Sequence, residues 1–491
     1  MGHSNRVDLA AAARQEMLEH GFHPDFTAPI IAQVAEVKSH GNPLHLPLTA
    51  GVRDLRELPW SSIDNDTSRD LDQIEYAERL PNGGARILIG IADVDSLVEK
   101  GTPVDLHAES EATSVYTGIE TFPMLPEDLS TDLTSLLENA DRLSLVTEVV
   151  IGQEGTVQSG NSYPALVRNQ AQLTYSKVGT WLEGTCEPPA KVARSKVLQE
   201  QLRLQDEIAR ELRSTRYRMG ALNIDTIETS PVLTDGQVTG ITVAHRNRAT
   251  GLIEDFMIAA NEVVARTFLN KGVTSIRRVV KTPKRWDRIV EVAAELGDKL
   301  PSEPDSKALN DFLIKRRAVD PVHSVDLSTA IVKLLGPGEY VVQRPDETEQ
   351  GHFGLAVRDY SHSTAPNRRY ADLVTQRLMK AMLAGHPSPY DSSDLEAIAR
   401  NCTLKEDAAR KVERKMRKRI AAVALSSRIG DTFRAVVTGV TPDGTFARIM
   451  VPPADGRIVR GEKGLDVGQQ IQVKLLATDP GLGYIDFGAL R

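Results

Sequence analysis

The chain has 491 residues, 41% of them apolar and 26% charged, with a net charge of −8. That balance suits about three globular domains and excludes collagen, coiled coil and wholesale disorder. No apolar run reaches the roughly 18 residues of a membrane helix, the start MGHSNRVDL has no signal-peptide pattern, and Cys186 and Cys402 stand far apart, so a cytoplasmic protein without a disulfide framework or zinc module is expected.

Taken in chain order, Arg6–His20 and Phe26–Ser39 are expected to be helices, with apolar stripes at Leu9, Ala13 and Met17 and at Ile30, Ile31, Val34 and Val37. The pair reads either as a helix-turn-helix touching nucleic acid or as a helical cap on the next domain. From Asp54 the texture is β: a strand running into Ile63, another over Gln73–Arg79, and a third over Ala85–Val94 after the turn Pro81-Asn82-Gly83-Gly84. The middle region mixes short strands with helices such as Leu198–Arg213 and Leu252–Phe268. Asp394–Ser427 is predicted as one long helix, with eight Lys/Arg between Lys405 and Arg419. Beyond Gly430, strands over Thr432–Val440, Thr445–Val451, Gln470–Ala477 and Gly483–Phe487 suit a small Greek-key barrel. The fold class is therefore α+β, with a helical region over 1–50, a main domain over 51–390, a basic helix over 391–427 and a barrel over 428–491.

Charge is divided unevenly. Residues 400–491 hold 17 Lys/Arg against 10 Asp/Glu, a local +7, whereas residues 1–399 hold 42 against 57, or −15. An acidic body with a basic appendage suggests an enzyme that holds an anionic polymer at one end, and Arg434, Arg448, Arg457, Arg460 and Lys474 are the barrel's candidate contacts.

Two segments carry chemistry. In Asp64-Asn65-Asp66-Thr67-Ser68-Arg69-Asp70-Leu71-Asp72-Gln73, Asp70 and Asp72 are expected on one face at the start of a strand, with Asp64 looped back beside them. Carboxylates converging without a lysine between them repel unless a cation intervenes, and hard oxygen donors suit Mg²⁺ or Mn²⁺; a solvated Asp-rich turn is the plainer reading. In Thr364-Ala365-Pro366-Asn367-Arg368-Arg369-Tyr370, Pro366 fits a first helical turn, and two arginines there run against the macrodipole. They make sense beside a bound anion such as a phosphate, or as bridges to carboxylates of the body.

Together and in this order, the two segments resemble the ribonuclease II (RNB) family of exoribonucleases. The family's Asp, five residues, then Asp-x-Asp-Asp matches Asp64, Asp70 and Asp72, and its later arginine motif puts Arg368 at the catalytic arginine. Ile91–Val94, Thr113–Tyr116, Phe122–Pro126 and Leu252–Asn261 look like family segments, in family order, and the last 60 or so residues resemble its S1-type barrel. The resemblance implies a metal-dependent 3′→5′ exoribonuclease releasing nucleoside 5′-monophosphates from the single-stranded 3′ end of RNA. Asp64, Asp70, Asp72 and Gln73 would hold Mg²⁺, with Arg368 stabilising the transition state. It further implies that Tyr116 clamps the terminal base, Tyr175 packs near the ribose, Glu254 holds the ribose hydroxyls and Arg369 contacts substrate. Three departures stand out: Gln73 replaces the fourth Asp, Ile224 replaces a second stacking aromatic, and no pair of N-terminal cold-shock barrels fits in the first fifty or so residues. The alternative is a catalytically inactive RNA-binding protein on the same scaffold.

Overall fold

The computed structural model describes residues 7–40, 51–224, 228–234, 236–244, 246–320, 323–347 and 351–490. Its centre is a seven-stranded sheet, ordered Arg53–Asp54, Val157–Arg168, Asp141–Ile151, Ala85–Ala92, Gln73–Arg79, Ser61–Asp64 and Ala171–Thr174. Side chains on Ala85–Ala92 alternate as a two-residue period requires: Leu88 enters one core, and Ile87, Ile89 and Ile91 enter the other. Both faces are covered, which is why this strand reads as an almost unbroken apolar run.

One face is closed by the helices Ala28–His40, Pro103–Glu111 and Tyr370–Leu383 and the start of Ser392–Leu425. The other is closed by Tyr175–Leu182, Lys196–Arg218 and Arg248–Asn270. The 34-residue helix Ser392–Leu425 ties the molecule together. Its Leu395, Ile398 and Cys402 join the first core, Ala409, Val412 and Met416 meet the N-terminal helix Leu9–Glu19, and Ala421, Ala422 and Leu425 join the barrel core.

The two N-terminal helices pack as a cap. Ala13 and Met17 of the first lie against the long helix, while Ile30 and Val34 of the second enter the sheet's core, so the pair does not share a core of its own as a helix-turn-helix would. Buried Glu16 accepts from Lys415 at 2.8 Å and Arg419 at 2.6 Å, neutralising part of the basic run.

The C-terminal strands close a barrel in the order Thr432–Thr441, Gly444–Met450, Pro453–Arg460, Tyr484–Leu490 and Gln470–Asp479. The sequence pattern did not locate Pro453–Arg460, because its Pro453 and Gly456 look like turn residues. Pro453 is tolerated as the first residue of its strand, and Gly456 has the Phe487 ring where a Cβ would stand. Among the described residues, no helix is long and apolar enough to cross a membrane.

Candidate active site

The acidic segment lies across the end of two strands. Asp64 is the last residue of Ser61–Asp64, whereas Asp70 and Asp72, expected at the start of a strand, lie in the loop before Gln73–Arg79. Ser135 fixes that loop from both sides: its hydroxyl donates to the Arg69 carbonyl at 2.7 Å and accepts from the Leu71 N–H at 3.0 Å. The next residue back, Thr134, donates to Asn367 Oδ1 at 2.6 Å, so a single Thr134-Ser135 turn clamps the acidic loop and the arginine turn together.

Asp72 is 1% exposed and is the meeting point. Its Oδ1 accepts from the Asn367 N–H at 3.0 Å and its Oδ2 from Arg368 Nε at 3.1 Å. Burial pushes its carboxyl up to about 7, opposed by Arg368 and reinforced by the neighbouring Asp70 charge. Asp64 accepts from the Asn65 N–H at 2.7 Å and Ser68 Oγ at 2.9 Å, and burial raises its carboxyl too. The Tyr116 hydroxyl donates to Asp70 Oδ2 at 3.4 Å, and Glu413 of the long helix accepts the Tyr116 N–H at 3.1 Å. Tyr175 begins its helix directly after Thr174, the parallel partner of Asp64, and its phenol is raised by partial burial and by the Asp64 and Glu75 charges.

The arginine pair needs correcting. The helix begins at Tyr370, so Arg368 and Arg369 precede it and the first turn carries Asp372, the charge the dipole favours. Arg369 Nη2 donates to Asp372 Oδ1 at 2.7 Å, a buried partner, so Arg369 bridges to a carboxylate of the body. Arg368 alone faces the carboxylates, with its side chain 43% exposed.

Glu254 sits in the second turn of Arg248–Asn270, pairs with Arg246, and lines a pocket with Ile224, Tyr217 and Arg216. The structure thus brings Glu254 and Ile224 together in one pocket, and it joins Tyr116 to Asp70 and Arg368 to Asp72.

Gln73 is buried at the first position of its strand. Among the described residues, no three His, Cys, Asp or Glu side chains gather closely enough to enclose a metal ion as they stand. The reason is local: Asp72 spends both oxygens on Asn367 and Arg368, and Asp64 is drawn to its own loop. In kind, however, the donors fit a hard divalent cation. Asp64, Asp70 and Asp72 bring three carboxyl groups to one end of the sheet, and Arg368 is paired with Asp72.

A sandwiched sheet with carboxylates and one arginine at its end is thus joined to a five-stranded OB-type barrel. Residues 52–385 match the RNB domain and residues 431–490 the RNase II-type exonuclease C-terminal S1 domain; the chain belongs to the RNB-domain family. It is 30% identical to ribonuclease R of Thermotoga maritima, over 89% of this chain and 64% of that protein, and 30% identical to ribonuclease R of Escherichia coli, over 82% and 50%. The chain thus spans between half and two-thirds of these curated relatives. Mycoplasma genitalium RNase R in complex with ribose-methylated single-stranded RNA superposes with a TM-score of 0.87 at 23% identity, covering 99% of this chain and 79% of that one. Yeast Ssd1, described as a pseudonuclease, superposes at 0.70 with 18% identity, over 93% and 56%. At such identities the likeness is one of fold, and one fold hosts different activities.

Proposed function

We propose that the chain is a metal-dependent 3′→5′ exoribonuclease, hydrolysing single-stranded RNA to nucleoside 5′-monophosphates in the cytoplasm. The observation that carries this reading is Arg368 held on Asp72 at 3.1 Å beside Asp64 and Asp70, within a family-matched domain. Asp64, Asp70, Asp72 and the Gln73 amide would hold Mg²⁺ or Mn²⁺, which supplies Lewis acidity at the scissile phosphate.

The remaining work falls to the chain itself. Arg368, fixed by Asp72 yet open to solvent, is positioned to neutralise charge growing on the phosphoryl oxygens. Tyr116, 42% exposed and anchored through its hydroxyl and its N–H, offers a face on which any base can stack, as a sequence-tolerant enzyme requires. Tyr175 borders the ribose beside Asp64, and Glu254 accepts from a 2′-hydroxyl, favouring RNA over DNA.

The test is incubation with 5′-labelled single-stranded RNA and Mg²⁺. A ladder shortening from the 3′ end, abolished by chelator, is the expected result. Binding without any ladder would instead assign the chain to the inactive RNA-binding alternative, with Gln73 as its cause.

A further inference from the structure

The pocket that holds Glu254 and Ile224 is a cavity of about 380 Å³, and its lining is basic. Four arginines, Arg213, Arg216, Arg246 and Arg248, line it against two carboxylates, Glu183 and Glu254. The four are not equally committed. Arg248 is spent, its Nε on Asp206 Oδ1 at 3.1 Å and its Nη1 on the Leu182 carbonyl at 2.6 Å. Arg213 and Arg216 instead share one carboxylate, the buried Asp255. Arg213 reaches it from Nε at 2.9 Å, and Arg216 pairs with it through Nη2, which leaves the buried Arg216 Nε without a partner. Two guanidinium groups on one carboxylate leave a positive charge over in a partly buried place, and an anion entering the cavity would compensate it.

Arg246 pairs with Glu254 at the open side of the cavity, their side chains 55% and 41% exposed. An exposed pair contributes only about 0–1 kcal/mol, so it yields readily to a stronger partner. A guanidinium carries five N–H donors, and Arg246 can keep Glu254 on one edge while the other takes an anion. The cavity is also joined to the acidic end of the sheet. Asn247 in its wall donates from Nδ2 to the Tyr175 carbonyl at 2.9 Å, and Tyr175 follows Thr174, the register partner of Asp64.

We propose that this cavity receives a phosphate on the 3′ end of the RNA, so that strands ending in a 3′-phosphate are substrates alongside those ending in a 3′-hydroxyl. The inference rests on the exoribonuclease reading above, in which Glu254 meets the terminal ribose. A phosphate on the 3′ oxygen of that ribose comes beside Arg246, with the less exposed Arg213 and Arg216 in the same cavity. Water adds to the phosphorus of the last internucleotide linkage, the bond from that phosphorus to the preceding O3′ breaks, and the departing oxygen takes the proton. The first product is then a nucleoside 3′,5′-bisphosphate, and each later one a nucleoside 5′-monophosphate. Ends of this kind arise where RNA is cut by attack of its own 2′-hydroxyl and the resulting cyclic phosphate is opened.

A pair of RNAs of one sequence, ending in a 3′-hydroxyl or a 3′-phosphate, tests this with the whole chain and Mg²⁺. Both should shorten, and mass spectrometry should find the nucleoside 3′,5′-bisphosphate from the phosphate end only. Arg246→Gln should lower kcat/KM for the phosphate end relative to the hydroxyl end by about ten- to a hundredfold, as one lost charge-assisted contact requires. Arg246→Lys keeps the charge without the planar fork and should recover part of that ratio. The ratio is the readout because lost packing, or a loosened Glu254, slows both substrates together. A phosphate end that resists the wild-type chain while the hydroxyl end is degraded overturns the inference. Release of inorganic phosphate ahead of the first nucleotide, or an unchanged ratio in Arg246→Gln, overturns it as well. Degradation of neither RNA defeats the exoribonuclease reading and the inference with it, which sets that failure apart from failure at the phosphate end alone.

Discussion

Asp72 does two jobs that a substitution can separate. Asp72→Asn keeps an oxygen for the Asn367 N–H and a similar volume, but removes the charge that Arg368 and a cation require. Hydrolysis should fall by at least about a hundredfold. RNA affinity should stay within about threefold, because it is spread over many phosphate contacts. Single-turnover cleavage and equilibrium binding on the same preparations check both, and unchanged cleavage would remove Asp72 from the site. A second residue reports on pH. His352 caps a short turn, where its Nδ1 accepts from the Leu355 N–H at 3.2 Å, so the ring must be neutral there. Burial, with Arg278 nearby, pushes it from 6.5 down to about 4. A depressed basic group contributes stability that is complete above about pH 6.5 and is lost as pH falls through about 4, at most about 3 kcal/mol in full. His352→Asn keeps an acceptor for the cap without titrating, so its melting temperature should fall less than the wild type's between pH 7.5 and 4.5. Parallel curves would refute the assignment.

Elements with a strong period were legible, and those defined by contacts were not. Gln73–Arg79 begins and ends where alternation placed it, and the helices predicted over Leu198–Arg213, Leu252–Phe268 and Asp394–Ser427 exist with ends shifted by a few residues. Asp64, Asp70, Asp72 and Arg368 could be paired from the motif order. Thr134, Ser135, Asn367 and Glu413 could not, since single hydroxyl or amide contacts across long sequence separations leave no periodic trace. Glu75 reads as an ordinary outward strand residue until the helix covering that face is seen. Composition likewise leaves no trace of what partners the basic helix, where Glu16 binds Lys415 and Arg419. Glu16→Gln should therefore weaken docking of the helix Leu9–Glu19 by about 1.5–3 kcal/mol, the range for hydrogen bonds to charged groups. Faster amide exchange confined to that helix, with RNA affinity unchanged or tighter, is the expected outcome. Slowed exchange or weaker RNA binding would contradict it.

At the scale of the molecule, the proposed function makes the division between a −15 body and a +7 end the feature expected to govern how RNA is held away from the site. The barrel has its own core, and its candidate cations are not equal. Arg448 is committed to Asp455 at 3.0 Å and Asp326 at 3.2 Å, which removes it from the expected phosphate contacts and fastens the barrel to the body. Arg434, Arg457, Arg460 and Lys474 remain exposed, and Arg457 lies directly across from the partly exposed Phe446 ring, a pairing suited to a stacked base beside a phosphate. Deleting residues 428–491 removes these groups and none of Asp64, Asp70, Asp72 or Arg368. It uncovers Ala421, Ala422 and Leu425 at the end of the long helix but leaves both cores of the sheet domain intact. Cleavage of a substrate of about four nucleotides should survive, while binding of one of about thirty should weaken sharply and lose roughly 0.7 of salt slope per phosphate contact removed. The opposing possibility is that the barrel only buttresses the body through Arg448 and the helix end. In that case both lengths lose activity together and the slope of log K against log salt does not change. Measuring the two lengths at two salt concentrations separates these outcomes, and Arg434→Ala with Lys474→Ala in the intact chain should reproduce part of the slope change without disturbing the Arg448 anchor.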